Sequence, residues 1–177
     1  MNSRERTILE LLDRAVRSAK RTIDPIVAAV DARLQESPSD VLAWQSIPLD
    51  LYSTKVPETI RSSWVFVLRA NVATGAERHP NSHQRMMSYR GRGDFQMQVD
   101  DKWRSHRLRS ELTGRLDERW ISIPAGVWHQ GIVGQDNWAV VSFHTVLDYE
   151  LIEERPASVL GEPARQRKYA GGETLMP

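Results

Sequence analysis

Apolar residues near the N-terminus recur at helical spacing and predict two helices. The helices are expected over residues 3–22 and 25–36, because Asp24 is a good N-cap and Pro25 fits the first position of a helix but breaks its interior. Each helix carries one apolar stripe, which must be buried against the rest of the chain or a second subunit. The stripes consist of Ile8, Leu9, Leu11, Leu12, Ala15, Val16 and Ala19, and of Ile26, Val27, Val30 and Leu34.

The pattern changes after residue 41 to short alternating or β-branched runs that predict strands. Turn residues follow these runs every eight to twelve positions, a spacing typical of antiparallel sandwiches and barrels. We therefore expect a helical segment at 1–40, a β-barrel domain at 41–155 and an extended C-terminal tail at 156–177. The clearest runs are residues 64–68, 95–99, 103–109, 120–123 and 138–143, with a turn at 100–102.

Charge and composition narrow the possible partners. The chain has 24 Lys and Arg against 23 Asp and Glu, and no segment carries the basic surplus that a nucleic-acid backbone attracts. The chain has no cysteine, which excludes disulfides, thiolate metal sites and a cysteine nucleophile, and favours a cytoplasmic location. We find no signal peptide and no membrane-spanning stretch, so a membrane is not an expected partner. Because no segment has a basic surplus, nucleic acid is not an expected partner either.

Two of the five histidines stand in contexts that suggest metal binding. Glu77 and His79 are one residue apart, so on an extended strand both side chains lie on the same face. His129, from a distant strand, can complete a set of two histidines and one carboxylate. Such a set leaves coordination positions open and suits one divalent ion, Fe, Mn, Ni or Zn. Gln84 could add a neutral oxygen ligand.

The same two stretches resemble the motifs of the cupin superfamily. The first cupin motif has two metal-binding histidines one residue apart, then a glutamate and a glycine, and the matching positions here are Glu77, His79, Gln84 and Gly91. The second motif ends in Pro-x-Gly-x-x-His, which is matched by Pro124, Gly126 and His129. Glutamate replaces the first histidine and glutamine replaces the glutamate, so the ligand charge stays at −1.

The resemblance implies a mainly β fold, a double-stranded β-helix or jelly-roll barrel, here preceded by two α-helices. It also implies a metal site formed by Glu77, His79, Gln84 and His129, a small-molecule ligand and a homodimer. His83 is an alternative ligand to Gln84, although strand alternation turns it outward.

Three more residues are expected at the substrate pocket. Arg90 shares the inward face of Gln84 and needs an anionic ligand or a carboxylate such as Glu77 or Asp94. Trp128 is placed to form a wall of the barrel mouth, and His144 lies on the closing strand.

The leading functional hypothesis is a metal-dependent cupin that acts on a small polar or anionic molecule in a dioxygenase-, isomerase- or epimerase-like reaction. The alternative is a non-catalytic cupin that binds or senses a small molecule without a metal. A third hypothesis is a structural dimerisation domain with a vestigial pocket. The fold alone does not choose among them, and the sequence leaves open whether the chain is an enzyme.

Overall fold

The computed structural model describes residues 2–111, 114–157 and 164–168. The helices are α1 (Ser3–Ser18), α2 (Lys20–Glu36) and the short α3 (Leu116–Arg119). The strands are β1 (Leu42–Ser46), β2 (Ser62–Leu68), β3 (Gln84–Arg90), β4 (Arg92–Val99), β5 (Lys102–Arg104), β6 (Arg107–Arg109), β7 (Trp120–Ile123), β8 (His129–Val133), β9 (Trp138–His144), β10 (Ile152–Arg155) and β11 (Arg165–Lys168).

The two N-terminal helices form, but the predicted boundary between them is wrong. The side chain of Asn2 caps α1 by accepting a hydrogen bond from the Glu5 amide at 2.8 Å. The chain breaks at Ala19, and Pro25 lies inside α2. Asp24 is therefore no N-cap, and its carboxylate binds Lys20 and Tyr89 instead. No helix in the described part of the chain has the length and apolar character needed to cross a bilayer.

Two antiparallel sheets form the body of the molecule. The first has the strand order β1-β2-β9-β3-β7. In the second, β4 pairs with β5 and β6 along one edge and with β8 along the other. The predicted jelly-roll fold preceded by two helices is confirmed.

Strand alternation divides the apolar residues of the first sheet between two core regions. On β9, Ala139, Val141 and Phe143 pack with the buried stripes of α1 and α2. Trp138 and Val140, which alternate with these residues and face the other side of the sheet, pack with residues of the second sheet. The helices thus cover the outer face of the first sheet, and the space between the sheets is left for the candidate site.

One glycine precedes β4 and another lies near its start, and they serve different purposes. Gly91 forms the turn between β3 and β4 with a φ of +88°, a conformation that L side chains rarely adopt. Gly93 lies within β4. A Cβ atom there would come within 2.2 Å of the Trp138 ring, so the ring can pack on β4 only because this residue lacks a side chain.

The C-terminal tail contains one described strand. Strand β11 pairs antiparallel with β10 in a separate two-stranded sheet. The rest of the predicted tail, apart from residues 156, 157 and 164, lies outside the described residues.

A partly buried ion pair attaches α1 to the first sheet. The Arg85 guanidinium donates to both oxygens of Glu5, at 2.7 and 2.9 Å, and the Ser122 hydroxyl donates to Glu5 Oε1 at 2.7 Å. Burial raises the pKa of the Glu5 carboxyl, but the hydrogen bonds from Arg85 and Ser122 outweigh it, and the folded-state pKa lies below its usual value.

We expect Glu5→Gln to lower the free energy of unfolding at pH 7 by about 1–3 kcal/mol, because Arg85 keeps its charge and loses its anionic partner. Since the folded-state pKa of Glu5 is depressed, its contribution is present above the unfolded value of about 4.3 and is lost as the pH falls through the folded value. In urea unfolding, the difference in the free energy of unfolding between wild type and Glu5→Gln should disappear below about pH 4. Glu10→Gln, at an exposed position of the same helix, is the control. A gap that does not change with pH would contradict the assignment.

Candidate metal centre

Backbone pairing brings the two sequence motifs together. Glu77 and His129 form an isolated antiparallel bridge in which each amide donates to the other's carbonyl, at 2.9 and 2.8 Å. The turn before His129 is fixed by Gly126, which has a φ of +77° and donates its amide to the His79 carbonyl at 2.9 Å. Residues about fifty positions apart in the sequence therefore face one point.

Three side chains converge there. One potential ligand atom from each of Glu77, His79 and His129 lies within 4.8 Å of the others. The two imidazole centroids are 5.4 Å apart, and His129 Nε2 is 3.6 Å from Glu77 Oε1. His79 is 4% exposed and His129 1% exposed, so the cluster is largely shielded from solvent.

Backbone carbonyls set the orientation of both imidazoles. His79 Nδ1 lies 3.1 Å from the Ile152 carbonyl, and His129 Nδ1 lies 2.9 Å from the Val127 carbonyl. A carbonyl oxygen can only accept, so each ring donates its Nδ1 proton and keeps the Nε2 lone pair. His129 Nε2 is buried and has no hydrogen-bond partner among the described residues. An unpartnered imidazole lone pair beside a carboxylate fits a metal ion.

The charge states at neutral pH also suit a metal. Burial lowers the pKa of His79 to about 4, aided by the neighbouring His129, so the ring is neutral. Burial would raise the pKa of Glu77, but its neighbours His129, His79 and Arg155 lower it to about 2. Because metals bind neutral imidazoles and ionised carboxylates, neither residue must lose a proton first.

Arg155, which the sequence motifs did not indicate, holds the carboxylate. Its Nη2 donates to Glu77 Oε2 at 2.7 Å, its Nε to Glu153 Oε1 at 2.7 Å and its Nη1 to the Thr74 carbonyl at 2.9 Å. The guanidinium occupies one oxygen of Glu77 and leaves Oε1 toward His129. The alternating Glu153 and Arg155 of β10 were the only sequence signal for this arrangement.

Gln84 and His144 line a cavity next to the cluster. The cavity has a volume of about 30 Å³, and Glu77 and His79 line it too. Its remaining lining residues are Thr74 and the apolar Leu42, Phe66, Leu68, Met86, Phe95, Val140 and Leu151. His144 is fully buried, and burial places its pKa well below the usual value.

Three other predicted residues lie elsewhere. Arg90 is not inward: the pairing of β3 with β9 shifts register between Ser88 and Arg90, which turns Arg90 toward α2. Its guanidinium binds Asp31 at 2.6 Å rather than Glu77 or Asp94.

Trp128 is half-buried and does not line the cavity, and the Arg78 guanidinium lies 4.6 Å from its ring centre. The alternative ligand His83 faces outward, as alternation predicts, and its Nε2 lies 2.7 Å from the Ser122 hydroxyl.

Comparison with known proteins shows that this chain shares its fold with solved structures. No protein family and no curated protein matches the sequence. Among solved structures, pumpkin seed globulin is 14% identical with a TM-score of 0.51, over 66% of this chain and 28% of that one. The capsular polysaccharide assembling protein CapF from Staphylococcus aureus is 14% identical with a TM-score of 0.47, over 62% of this chain and 27% of that one.

The chain spans only 27–30% of the length of the first matching structures. The likeness to pumpkin seed globulin shows a shared fold, and it does not extend to activity or ligands.

Proposed function

We propose that the chain, which has the cupin fold, holds one divalent metal ion with Glu77, His79 and His129 and acts on a small molecule in the adjoining cavity. The observation that supports this most directly is the buried, unpartnered Nε2 of His129 beside an ionised carboxylate. A bound divalent ion would polarise a substrate oxygen or activate dioxygen. The reaction class we favour is dioxygenase-, isomerase- or epimerase-like.

The chain's own residues supply the rest of the site. The carbonyls of Ile152 and Val127 hold the two imidazoles in the tautomer that presents Nε2, and Arg155 fixes the carboxylate. The apolar cavity wall excludes water and leaves room for a small group. The homodimer and the cytoplasmic location stay predictions.

One observation favours the alternative, a metal-free cavity that binds or senses a small molecule. Arg155 already gives Glu77 a cationic hydrogen-bond partner, so the carboxylate does not require an ion to remain buried. Metal analysis of the purified protein by mass spectrometry separates the two functions. Near-stoichiometric Fe, Mn, Ni or Zn supports the metal centre. Absence of metal, together with failure to bind any of these ions after dialysis, supports the metal-free cavity.

Substitution of Arg155 should make the folded state more dependent on metal. In Arg155→Met without metal, Glu77 and Glu153 lose a cationic partner, and we expect the free energy of unfolding to fall by about 1–3 kcal/mol. A divalent ion restores positive charge next to Glu77, so added Zn²⁺ should raise the melting temperature more in this variant than in wild type.

The matched control for this experiment is Arg78→Met. Arg78 lies between the two ligands in sequence but binds Glu154 at 2.6 Å, away from the cluster. If Zn²⁺ raises the melting temperature equally in wild type, Arg155→Met and Arg78→Met, then Arg155 and the ion do not both interact with Glu77.

A further inference from the structure

The second sheet has a groove on the face that points away from the first sheet. Gly93 and Phe95 of β4 lie against Trp138 in the core, so strand alternation turns Arg92 and Asp94 outward. The groove has a volume of about 620 Å³, within the range of about 300–1,000 Å³ typical of small-molecule sites. It shares no lining residue with the cavity beside the candidate metal centre.

Three arginines on neighbouring strands line this outer groove. Arg92 of β4 lies directly opposite Arg109 of β6, and Arg107 is the diagonal neighbour of Arg92, at about 7–8 Å. Like charges on adjacent strands destabilise a sheet unless they have partners. Arg109 has such partners, because it pairs with Glu111 at 3.2 Å and with Glu118 at 2.9 Å.

The other two arginines can bind an anion. Arg92 and Arg107 are exposed, and neither side chain forms a hydrogen bond or an ion pair with any residue that the structure describes. The Asp94 carboxylate, opposite Arg107, instead accepts hydrogen bonds from the Ser105 hydroxyl at 2.7 Å and the His106 amide at 2.8 Å. The groove thus presents two guanidinium groups whose donors suit the oxygens of a phosphate or a carboxylate.

Apolar side chains line the rest of the groove. They come from Leu108, Ile132 and Val133, of which Ile132 is half-buried and the other two are buried. Gly134 lines the groove just beyond the end of β8, and a Cβ atom there would meet nothing within 4 Å. A ligand can therefore combine a charged group at the arginines with an apolar group over Ile132.

The presence of two free arginines favours phosphate over carboxylate as the charged group. One guanidinium can satisfy both oxygens of a carboxylate through two parallel hydrogen bonds. A phosphate monoester presents three oxygens and a charge of about −1.5 to −2 at pH 7, so it can bind two arginines at once.

We propose that the outer groove binds a phosphate monoester of a small apolar group. Arg92 and Arg107 hold the phosphate, and the apolar group packs on Ile132. This site is separate from the proposed metal centre. Binding there requires no metal ion, because the two arginines supply the positive charge.

Calorimetric titration of the full chain with 2-naphthyl phosphate, 2-naphthoate and inorganic phosphate tests the proposal. The naphthoate keeps the ring system but has a carboxylate, whereas inorganic phosphate lacks the ring system. We expect 2-naphthyl phosphate to bind about tenfold more tightly than either, because each of the others loses one set of contacts. The affinity should be the same with and without EDTA.

Substitutions separate the two parts of the groove. Arg92→Gln and Arg107→Gln should each weaken the binding of 2-naphthyl phosphate about tenfold. Arg104→Gln is the control, because it removes the same charge from an exposed position of the same sheet outside the groove. Gly134→Leu places a side chain in the groove and should weaken 2-naphthyl phosphate more than inorganic phosphate. Thermal melts establish that the variants fold.

Four results would overturn the proposal. Equal affinity for 2-naphthyl phosphate and 2-naphthoate would show that the two arginines do not share one ligand. An equal loss of affinity in Arg104→Gln would indicate unspecific attraction of anions, and loss of binding in EDTA would place the ligand at the metal centre. If wild type binds none of the three compounds and Gly134→Leu changes the oligomeric state, the groove is a contact between copies of the chain.

Discussion

Asp13→Ala is expected to lower the free energy of unfolding by about 3–5 kcal/mol, the typical effect of removing one partner of a buried ion pair. The Asp13 carboxylate accepts from both terminal nitrogens of Arg119, from Trp120 Nε1 at 2.9 Å, and pairs with Arg17 at 2.8 Å. Asp13 is 8% exposed and Arg119 4% exposed, so the guanidinium cannot regain its hydration without disrupting the contact between α1 and the sheet. Chemical denaturation followed by circular dichroism measures the change.

Two further variants test whether the lost stability comes from leaving the Arg119 guanidinium buried without its anionic partner. Glu10→Ala, on the exposed side of α1, should change stability by no more than about 0.5 kcal/mol. Asp13→Ala combined with Arg119→Met should recover part of the loss, because the double variant no longer buries an unpaired cation. If the double variant is less stable than Asp13→Ala, packing rather than charge accounts for the effect.

The strand pattern predicted which side chains enter the barrel wherever the ladder was regular. Gln84 and Met86 face the cavity, as alternation required, while Arg85 and Met87 face the helices. The prediction failed at Arg90 because the register shift after Ser88 inverts the alternation, and no residue there marks a bulge. An irregularity of one residue moved an arginine from the expected pocket to Asp31 on α2.

The helix boundary shows how tertiary contacts override local signals. Asp24 and Pro25 have the sequence of a helix start, but the buried positions Ile23 and Val27 on either side of them belong to one continuous stripe. Packing that stripe on the sheet keeps α2 helical through Pro25. The chain instead breaks at Ala19, for which the sequence offers no local signal.

The candidate centre was predictable as far as the motifs reach. Glu77, His79 and His129 converge because two short stretches pair through their backbones, and the turn at Gly126 is encoded locally. Arg155 was not predictable, because its role depends on where β10 crosses the site. The carbonyl of Ile152 was equally hidden, since a backbone acceptor has no sequence signature.

His129→Ala is expected to weaken metal binding by more than about 100-fold, beyond the usual effect of losing a residue that only supports a ligand. Its Nε2 is buried and has no hydrogen-bond partner within the described part of the chain, and alanine leaves Glu77 and His79 of the three clustered ligands to hold the ion. Competition with a chromophoric chelator measures the affinity, and metal content after dialysis gives an independent value.

Because His129 is buried, its removal could also unfold the barrel. Glu77→Gln is a second variant that tests the same metal site with a smaller change of structure. Glutamine preserves the shape of Glu77 while removing the negative charge, so metal binding should weaken even if the fold survives. His106→Ala, at an exposed histidine on the second sheet, and His83→Ala, beside Glu5, should both keep wild-type affinity. Wild-type affinity in folded His129→Ala and Glu77→Gln would place the metal elsewhere. Loss of metal in His83→Ala would instead bring that histidine into the coordination sphere.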